Sequence, residues 1–191
     1  QRLGATYAKS ERWLTNINIE LVSDANRYIT AGRHLELINI AEALQEKEIA
    51  DIADMVLWER RAVRVILIAG PSSSGKTTFA HRLSTQLRVN GLTPVPIALD
   101  DYFLNRDQTP IDKEGNYDFD TLEALDLKLM EKQIEQLIKG ATVETPIFDF
   151  ASGMRSQKTR SLKLGSSEIR VIEGIHALNP ALIANLTKSV F

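Results

Sequence analysis

The sequence contains no cysteine, no long apolar run and little excess charge, and each absence excludes a class of protein. Without cysteine there can be no disulfide scaffold, thiolate zinc site or thiol nucleophile. The longest apolar runs, such as residues 65–69, fall far short of the roughly 20 residues of a membrane helix. The net charge of −2 comes from intermixed acids and bases, which gives no bulk attraction for nucleic acid or an anionic membrane. We therefore predict a cytoplasmic protein that binds neither.

The 191 residues divide into two regions with different patterns of apolar residues. Residues 1–61 lack strand-like runs, and we expect a helical N-terminal appendage there. Ser23 or Asp24 could cap a short helix that stops at Gly32. Residues 49, 52, 53 and 56 give one apolar helical face reaching about Glu59. Residues 62–191 form the second predicted domain, and we expect it to be C-terminally incomplete because the chain stops as a new strand begins.

The second region alternates strand and helix patterns, which predicts a parallel α/β sheet flanked by helices. The apolar run at 63–68 is typical of a strand buried on both faces. A helix with an apolar stripe follows and ends near Gly91, and TPVPIALDD predicts a second strand. We expect a further helix from Asp120, with Glu123 completing a capping box, to Lys139. VETPIFDF and RSLKLGSSE predict an antiparallel β-hairpin excursion, and EIRVIEG predicts a third core strand.

The stretch GPSSSGKTT joins the first strand to the first helix of this region and matches G-x-x-x-x-G-K-[ST]. Such a loop curls its backbone N–H groups and the helix N-terminus around phosphate oxygens. Lys76 would add a charge at the β- and γ-phosphates, and the Thr77 hydroxyl would bind Mg²⁺. The pattern predicts ATP and Mg²⁺ as cofactors of a P-loop NTPase-like fold, with nine binding residues: Gly70, Pro71, Ser72, Ser73, Ser74, Gly75, Lys76, Thr77 and Thr78.

Acidic residues follow the second and third core strands. Asp100 and Asp101 would lie at the carboxyl edge of the sheet, where open α/β folds bind ligands. A carboxylate at that edge can accept a proton from a hydroxyl group or bind Mg²⁺, and Glu173 is similarly placed within reach of the metal. Solvated loop acids without a catalytic role are the alternative interpretation.

Taken in order, GPSSSGKTT, LDDYF, NYDFD, TPIFDFASGMR and VIEGIHAL resemble the uridine kinase and phosphoribulokinase family of P-loop kinases. The resemblance covers about residues 63–191 and is greatest to uridine kinase-like nucleoside kinases. The preceding segment resembles the region before the kinase in bacterial members that carry a tRNA-synthetase-like N-terminal part. The resemblance therefore leaves open further domains of a longer polypeptide and a homo-oligomer.

The resemblance implies roles for individual residues. Asp100 would be the base for the acceptor hydroxyl and, with Thr77 and Glu173, a metal ligand, while Lys76 would be catalytic. Asp118 would hold the ribose hydroxyls. Further acceptor-binding positions are implied at Tyr102, Phe148, Phe150 and Arg155. The alternation of Phe148 and Phe150 is equally typical of one core-facing side of a strand.

Three differences from the family concern the acceptor site. Uridine kinases usually carry a pyrimidine-reading histidine where this chain has Gly153. The segment after Asp118 reads FDTLEALD instead of a shorter stretch containing His-Pro, and the arginine-rich lid of the family would lie past Phe191. Because a missing hydrogen-bond partner weakens discrimination, the sequence does not predict uridine itself.

The sequence leaves three functions open. The first is transfer of the ATP γ-phosphoryl group to a hydroxyl of a small acceptor, with a nucleoside favoured. The second is a kinase for another hydroxylated metabolite, such as a sugar phosphate. The third is a non-catalytic ATP-binding regulatory module. The three acidic side chains Asp100, Asp118 and Glu173 favour catalysis, because a sensor would not require them.

Overall fold

The computed structural model describes residues 2–59, 63–165 and 168–183 and shows a mixed α/β chain. In chain order the helices are α1 (Arg2–Asn16), α2 (Val22–Thr30), α3 (His34–Trp58), α4 (Lys76–Val89) and α5 (Leu127–Ile138). The strands are β1 (Val65–Ile68), β2 (Pro94–Ala98), β3 (Thr142–Thr145), β4 (Phe148–Asp149), β5 (Met154–Arg155), β6 (Arg160–Lys163) and β7 (Ile169–Glu173). No helix within the described ranges has the length and hydrophobicity needed to cross a membrane.

The chain divides into two compact units, Gln1–Glu48 and Ile49–Phe191. In the first unit, the predicted short helix is confirmed as α2, but the predicted cap is wrong: Leu21 is the N-cap, and Ser23 and Asp24 lie inside the first turn. Asp24 accepts hydrogen bonds from the N–H groups of Glu20 and Leu21 at 3.1 and 2.9 Å, which satisfies free donors at the helix start. Gly32, with φ of 71°, follows the end of the helix as predicted.

The last part of α3 contributes to the core of the second unit. Its buried residues Ile49, Ala53 and Val56 share one hydrophobic cluster with α4 and β7. The apolar face predicted for this helix is confirmed, and burying it accounts for the division of the units at residue 48. The predicted division into a helical appendage of residues 1–61 and a kinase domain of residues 62–191 stays a prediction.

The three predicted core strands form one parallel sheet in the order β1-β7-β2. All five residues of β7 are buried, as expected for a strand with a partner on each side. In this register Glu173, the last residue of β7, lies opposite Ile68 of β1 and Ala98 of β2. The loops that follow all three strands therefore leave the sheet at the same edge.

The predicted antiparallel excursion lies between α5 and β7. β3 pairs with β6 over four residues, and the short strands β4 and β5 form a second antiparallel pair. The β4–β5 pair places Phe148 opposite Arg155.

The helix predicted from Asp120 begins later than expected. Residues 122–124 form a single 3₁₀ turn, and α5 starts at Leu127 with Asp126 as its N-cap, accepting from the Leu129 N–H at 3.0 Å. The segment before the cap pairs with another part of the chain, since Leu104 N–H donates to the Ala124 carbonyl at 2.8 Å and Asp126 N–H to the Tyr102 carbonyl at 2.9 Å. Extended pairing of this kind is incompatible with helix from Asp120.

Candidate active site

The phosphate-binding motif lies between β1 and α4, the context that the pattern requires. Its backbone turns sharply, with positive φ at Ser73 (58°) and Gly75 (85°). A Cβ on Gly70 would lie 2.8 Å from the Ser74 hydroxyl oxygen, so a larger residue would require the Ser74 side chain to move. Thr77 and Thr78 fall in the first turn of α4, whose N–H groups have no helical partners. The motif therefore has the form of a phosphate cradle.

The Lys76 side chain folds back over this loop. Its Nζ donates to the Pro71 carbonyl oxygen at 2.9 Å, and the contact is exposed to solvent. A phosphate entering the loop would compete with one neutral acceptor only, because Lys76 forms no ion pair with the described carboxylates.

Thr77 and Glu173 meet where the loop passes the end of β7. The Thr77 hydroxyl donates to Glu173 Oε1 at 2.8 Å, and Glu173 is 5% exposed. Its second oxygen, Oε2, is buried without a hydrogen-bond partner among the described residues. A buried carboxylate oxygen without a partner is costly, and a cation beside it would remove that cost.

The Thr77–Glu173 pair fits Mg²⁺ in its donor chemistry. Mg²⁺ prefers oxygen ligands and is usually held by one or two carboxylates together with substrate phosphates and water. Among the described residues, no group of three or more His, Cys, Asp or Glu side chains could hold a metal ion together.

Asp100 follows β2 in a 3₁₀ turn, Leu99–Tyr102, at the same edge of the sheet. Burial raises the pKa of its carboxyl group and the negative charge of Glu173 raises it further, while Lys76 acts in the opposite direction. Asp100 therefore lies within electrostatic range of both the lysine and the glutamate. The structure brings together Asp100, Lys76, Thr77 and Glu173 as the sequence predicts.

The Asp101 side chain contacts the antiparallel excursion and not the phosphate loop. Its carboxylate accepts from the Phe148 N–H at 3.4 Å and pairs with Arg160 at 3.5 Å. Asp101 therefore connects the end of β2 to the excursion, while Asp100 stays with the phosphate loop. The sequence places both aspartates at the sheet edge and gives no signal for this division of roles.

The two predicted acceptor-side phenylalanines have different environments. Phe148 is buried in the core, whereas Phe150 is 62% exposed, and their ring centroids are 5.1 Å apart. Phe103, which follows the Asp100 turn, packs edge-on against Phe150 at 6.2 Å. The core interpretation is correct for Phe148, and Phe150 offers a free aromatic surface.

Asp118 lies in a separate loop with partly exposed surroundings. Its N–H donates to the Pro110 carbonyl at 2.8 Å, and its carboxylate accepts from the Asp120 N–H at 3.1 Å. Tyr117 beside it is 48% exposed and contacts Phe119, whose ring packs against Phe103 at 5.5 Å. A chain of aromatic contacts thus links this loop to the turn that carries Asp100.

Tyr102 and Arg155 lie within the scaffold. The Tyr102 side chain is 1% exposed and donates to Gln133 Oε1 at 2.9 Å. Arg155 donates to the carbonyl oxygens of Phe103 and Tyr102 at 2.9 and 3.0 Å and to Asp126 at 3.1 Å. These contacts hold the turn after Asp100 against the β4–β5 pair and use the Tyr102 hydroxyl proton and three of the five Arg155 N–H donors within the scaffold. Direct acceptor binding by Tyr102 and Arg155 stays a prediction.

Replacing Tyr102 with phenylalanine is expected to lower the free energy of unfolding by about 1–3 kcal/mol, because the buried Gln133 oxygen loses its donor. Urea unfolding measures the change. The exposed Tyr7 provides the control, since its replacement with phenylalanine should change stability by less than about 0.5 kcal/mol. Equal effects of the two substitutions would contradict the buried hydrogen bond.

A cavity of about 440 Å³ opens beside the Thr77–Glu173 pair. Its lining includes Asp101, Arg160 and residues of α4 and β2, but none of Asp118, Phe148 or Phe150. Its volume suits a small ligand. The cavity borders Thr77 and Glu173, the proposed metal-binding pair, and does not border these three predicted acceptor-binding residues.

Comparison with known proteins decides the family. The sequence model of the Phosphoribulokinase / Uridine kinase family matches residues 65–189, which include the phosphate loop, Asp100 and Glu173. The chain belongs to this family. The resemblance drawn from the five motifs is thereby confirmed, together with the P-loop kinase fold.

Individual relatives give the same result. The chain is 32% identical over 122 residues to a uridine kinase of Lactobacillus helveticus, a match covering 64% of this chain and 56% of that protein. It is 38% identical over 128 residues to a uridine kinase of Schizosaccharomyces pombe, covering 66% of this chain and 27% of that protein. The chain thus spans about half the length of the bacterial relative.

A solved structure described as a possible uridine kinase from Bacillus stearothermophilus has the same fold. It superposes with a TM-score of 0.51 at 26% identity, covering 66% of this chain and 71% of the other.

Proposed function

We propose that this chain binds ATP with residues 70–78 and transfers the γ-phosphoryl group to a hydroxyl of a small acceptor. The register of the parallel sheet is the observation that carries the proposal. Glu173 lies opposite Ile68 and Ala98, so the phosphate loop, Glu173 and Asp100 meet at one edge. This is the edge at which open α/β sheets bind ligands.

Mg²⁺ bound at Thr77 and Glu173, with Asp100 nearby, would neutralise charge on the β- and γ-phosphate oxygens. Lys76 would exchange its contact with Pro71 for a phosphate oxygen, and the loop N–H groups would orient the nucleotide. Positioning and charge neutralisation are the main requirements, since the transferred group passes through a loose transition state.

Asp100 is proposed to act as the base toward the acceptor. Its carboxylate takes the proton of the attacking hydroxyl, the hydroxyl oxygen bonds to the γ-phosphorus, and the bond to the bridging oxygen breaks to release ADP. The raised pKa of Asp100 makes the carboxylate a better proton acceptor than an ordinary aspartate, provided that the pH stays above it.

Separate observations support each of the two acceptor classes, a nucleoside and another hydroxylated metabolite. The relatives described as uridine kinases support a nucleoside, and the exposed ring of Phe150 offers a surface on which a base could stack. The glycine at position 153, where uridine kinases usually carry a pyrimidine-reading histidine, favours the second class that the sequence left open, a hydroxylated metabolite such as a sugar phosphate. A nucleoside, a cytoplasmic location, a homo-oligomer and a separate role for residues 1–61 all remain predictions.

An ADP-release screen on the full chain tests the proposal. ATP and Mg²⁺ are combined with nucleosides, sugars and sugar phosphates, and ADP is measured by an enzyme-coupled assay. The proposed function predicts acceptor-dependent ADP release. A nucleotide-sensing module would bind ATP without such release, and that result would contradict the proposal.

Replacing Glu173 with glutamine is expected to raise the Mg²⁺ concentration for half-maximal activity by roughly 10- to 100-fold, because a neutral amide replaces the buried carboxylate beside Thr77. Titrating Mg²⁺ at fixed ATP measures the shift. Glu114→Gln, at an exposed position in another loop, is the control and should leave the titration unchanged. An unshifted curve for Glu173→Gln would remove this residue from the metal site.

A further inference from the structure

Gly153 leaves room for the side chain of an arginine from another loop. It has φ of 68° at the turn before β5, and a Cβ built on it would lie 2.6 Å from Nε and 2.8 Å from Cζ and Nη2 of Arg106. The Arg106 N–H also donates to the Gly153 carbonyl at 2.9 Å. The guanidinium of Arg106 therefore occupies the space into which a side chain at position 153 would project.

This guanidinium has no anionic partner among the described residues. Its one described side-chain contact is with the ring of Tyr117, whose centroid lies 5.8 Å from Cζ. The two arginines of the neighbouring excursion differ, because Arg155 is committed to two carbonyls and Asp126, and Arg160 pairs with Asp101. Arg106 is thus held by its backbone hydrogen bond to Gly153 and by the contact of its guanidinium with the Tyr117 ring, while the guanidinium N–H donors stay available.

The surroundings place Arg106 on the acceptor side. It lies six residues after Asp100, which limits the separation of their Cα atoms to roughly 20 Å. The Asn105 side chain accepts from the Arg155 N–H at 2.9 Å, which fixes this segment to the β4–β5 pair. Tyr117, beside Asp118, is in contact with the guanidinium, and Phe150 lies on the same β4–β5 turn as Gly153.

We propose that Arg106 determines acceptor specificity by binding an oxyanion of the acceptor, a phosphate or a carboxylate. The planar fork of N–H donors matches the paired oxygens of either group. The inference rests on the proposed function and chooses between the two acceptor classes that the sequence left open. The acceptor carries a hydroxyl for phosphorylation and an anionic group at its other end.

Steady-state kinetics on the full chain tests this assignment. Saturating ATP and Mg²⁺ are combined with matched pairs of acceptors, ribose with ribose 5-phosphate and glycerol with glycerate, and with uridine as a neutral nucleoside. The anionic member of a pair should have the higher kcat/KM, and the pair that responds distinguishes phosphate from carboxylate. Arg106→Gln should raise KM for that acceptor by roughly 10- to 100-fold with little change in kcat.

Two further variants separate recognition from folding. Arg106→Lys keeps the charge without the fork and should give an intermediate KM. Lys113→Gln, an exposed cation in the same loop, should leave KM unchanged. Thermal unfolding checks that each variant folds. If Arg106→Gln does not fold, the KM of the charge-retaining Arg106→Lys still tests the assignment.

The outcomes distinguish this inference from the proposed function. If uridine or another neutral acceptor is phosphorylated best and Arg106→Gln leaves its KM unchanged, the assignment of Arg106 is wrong while the kinase activity stands. If no acceptor in the panel releases ADP, both are overturned.

Discussion

Replacing Asp100 with asparagine is expected to lower kcat by roughly 10²- to 10⁴-fold, the range typical of losing a general base. Asparagine preserves the shape of the side chain and cannot accept the proton of the attacking hydroxyl. ATP binding should change little, because the loop and Lys76 hold the nucleotide. Steady-state kinetics with the preferred acceptor, together with calorimetric titration of ATP, measures both quantities.

The adjacent Asp101 provides a matched control. Its carboxylate contacts Arg160 and the Phe148 N–H, and Asp101→Asn can retain the contact with the N–H while losing an ion pair whose Arg160 side is exposed. Since Asp101 contacts the excursion and is not the proposed base, the loss in kcat should be small. Equal losses for the two variants would contradict a specific role for Asp100.

The pKa of Asp100 gives the same variant a distinct pH signature. Because burial and the charge of Glu173 raise this pKa, kcat/KM of the wild type should fall as the pH drops through a value above the ordinary 3.8 of aspartate. The fall should be absent in Asp100→Asn.

The raised pKa of Asp100 also affects the stability of the fold, which it lowers at neutral pH. A carboxyl group whose pKa is raised on folding favours the fold below its unfolded pKa, and this contribution is lost as the pH rises through the folded pKa. Without nucleotide and metal, Asp100→Asn should therefore unfold at a higher temperature than the wild type at neutral pH, and the difference should shrink as the pH falls. A charged group retained at such a cost is typical of a functional site.

Replacing Lys76 with methionine is expected to lower kcat/KM for ATP by roughly 10²- to 10³-fold, the effect of removing one donor aimed at charge that develops in the transition state. The fold should be unaffected, since Lys76 makes one exposed hydrogen bond to the Pro71 carbonyl. Kinetics and thermal unfolding together measure this combination of lost activity and retained stability.

Lys132→Met supplies the control for Lys76→Met, because Lys132 is an exposed lysine on α5. It should retain wild-type kinetics. Wild-type kcat/KM in Lys76→Met would show that the loop does not act on the phosphates of ATP, and a marked loss of stability would show that the side chain has a structural role.

The parts of the fold predicted correctly are those that local pattern determines. The phosphate loop follows from its glycine positions and from the apolar run and helical stripe on either side. The sequence places Asp100 and Glu173 together because each ends a predicted parallel strand, and the carboxyl ends of such strands share one edge. This prediction depends on strand direction and on no side-chain contact.

The parts that were missed depend on contacts between distant segments. Asp126 caps α5 because the preceding residues pair with the 102–104 segment, so the capping-box pattern at Asp120 and Glu123 was misleading. The buried hydrogen bond of Tyr102 to Gln133 joins residues 31 apart, and Arg155 contacts carbonyls more than 50 positions away. No periodicity or local motif encodes such pairs.

At Gly153 the sequence and the structure each supply part of the explanation. The resemblance to uridine kinases implies that a histidine side chain is missing at this position, and the structure shows that the guanidinium of Arg106 occupies the space. The spacing of the two residues gives no sign of their contact, which arises because the loop after Asp100 pairs with the turn before β5.

Transfer of radiolabelled γ-phosphate from ATP tests the central claim most directly. The full chain is incubated with labelled ATP, Mg²⁺ and each acceptor of the panel, and the products are separated by chromatography. The account predicts that label enters a phosphate ester of an acceptor, mole for mole with ADP, and that Asp100→Asn suppresses the transfer. Label released only as inorganic phosphate, or transferred equally fast by the variant, would contradict it.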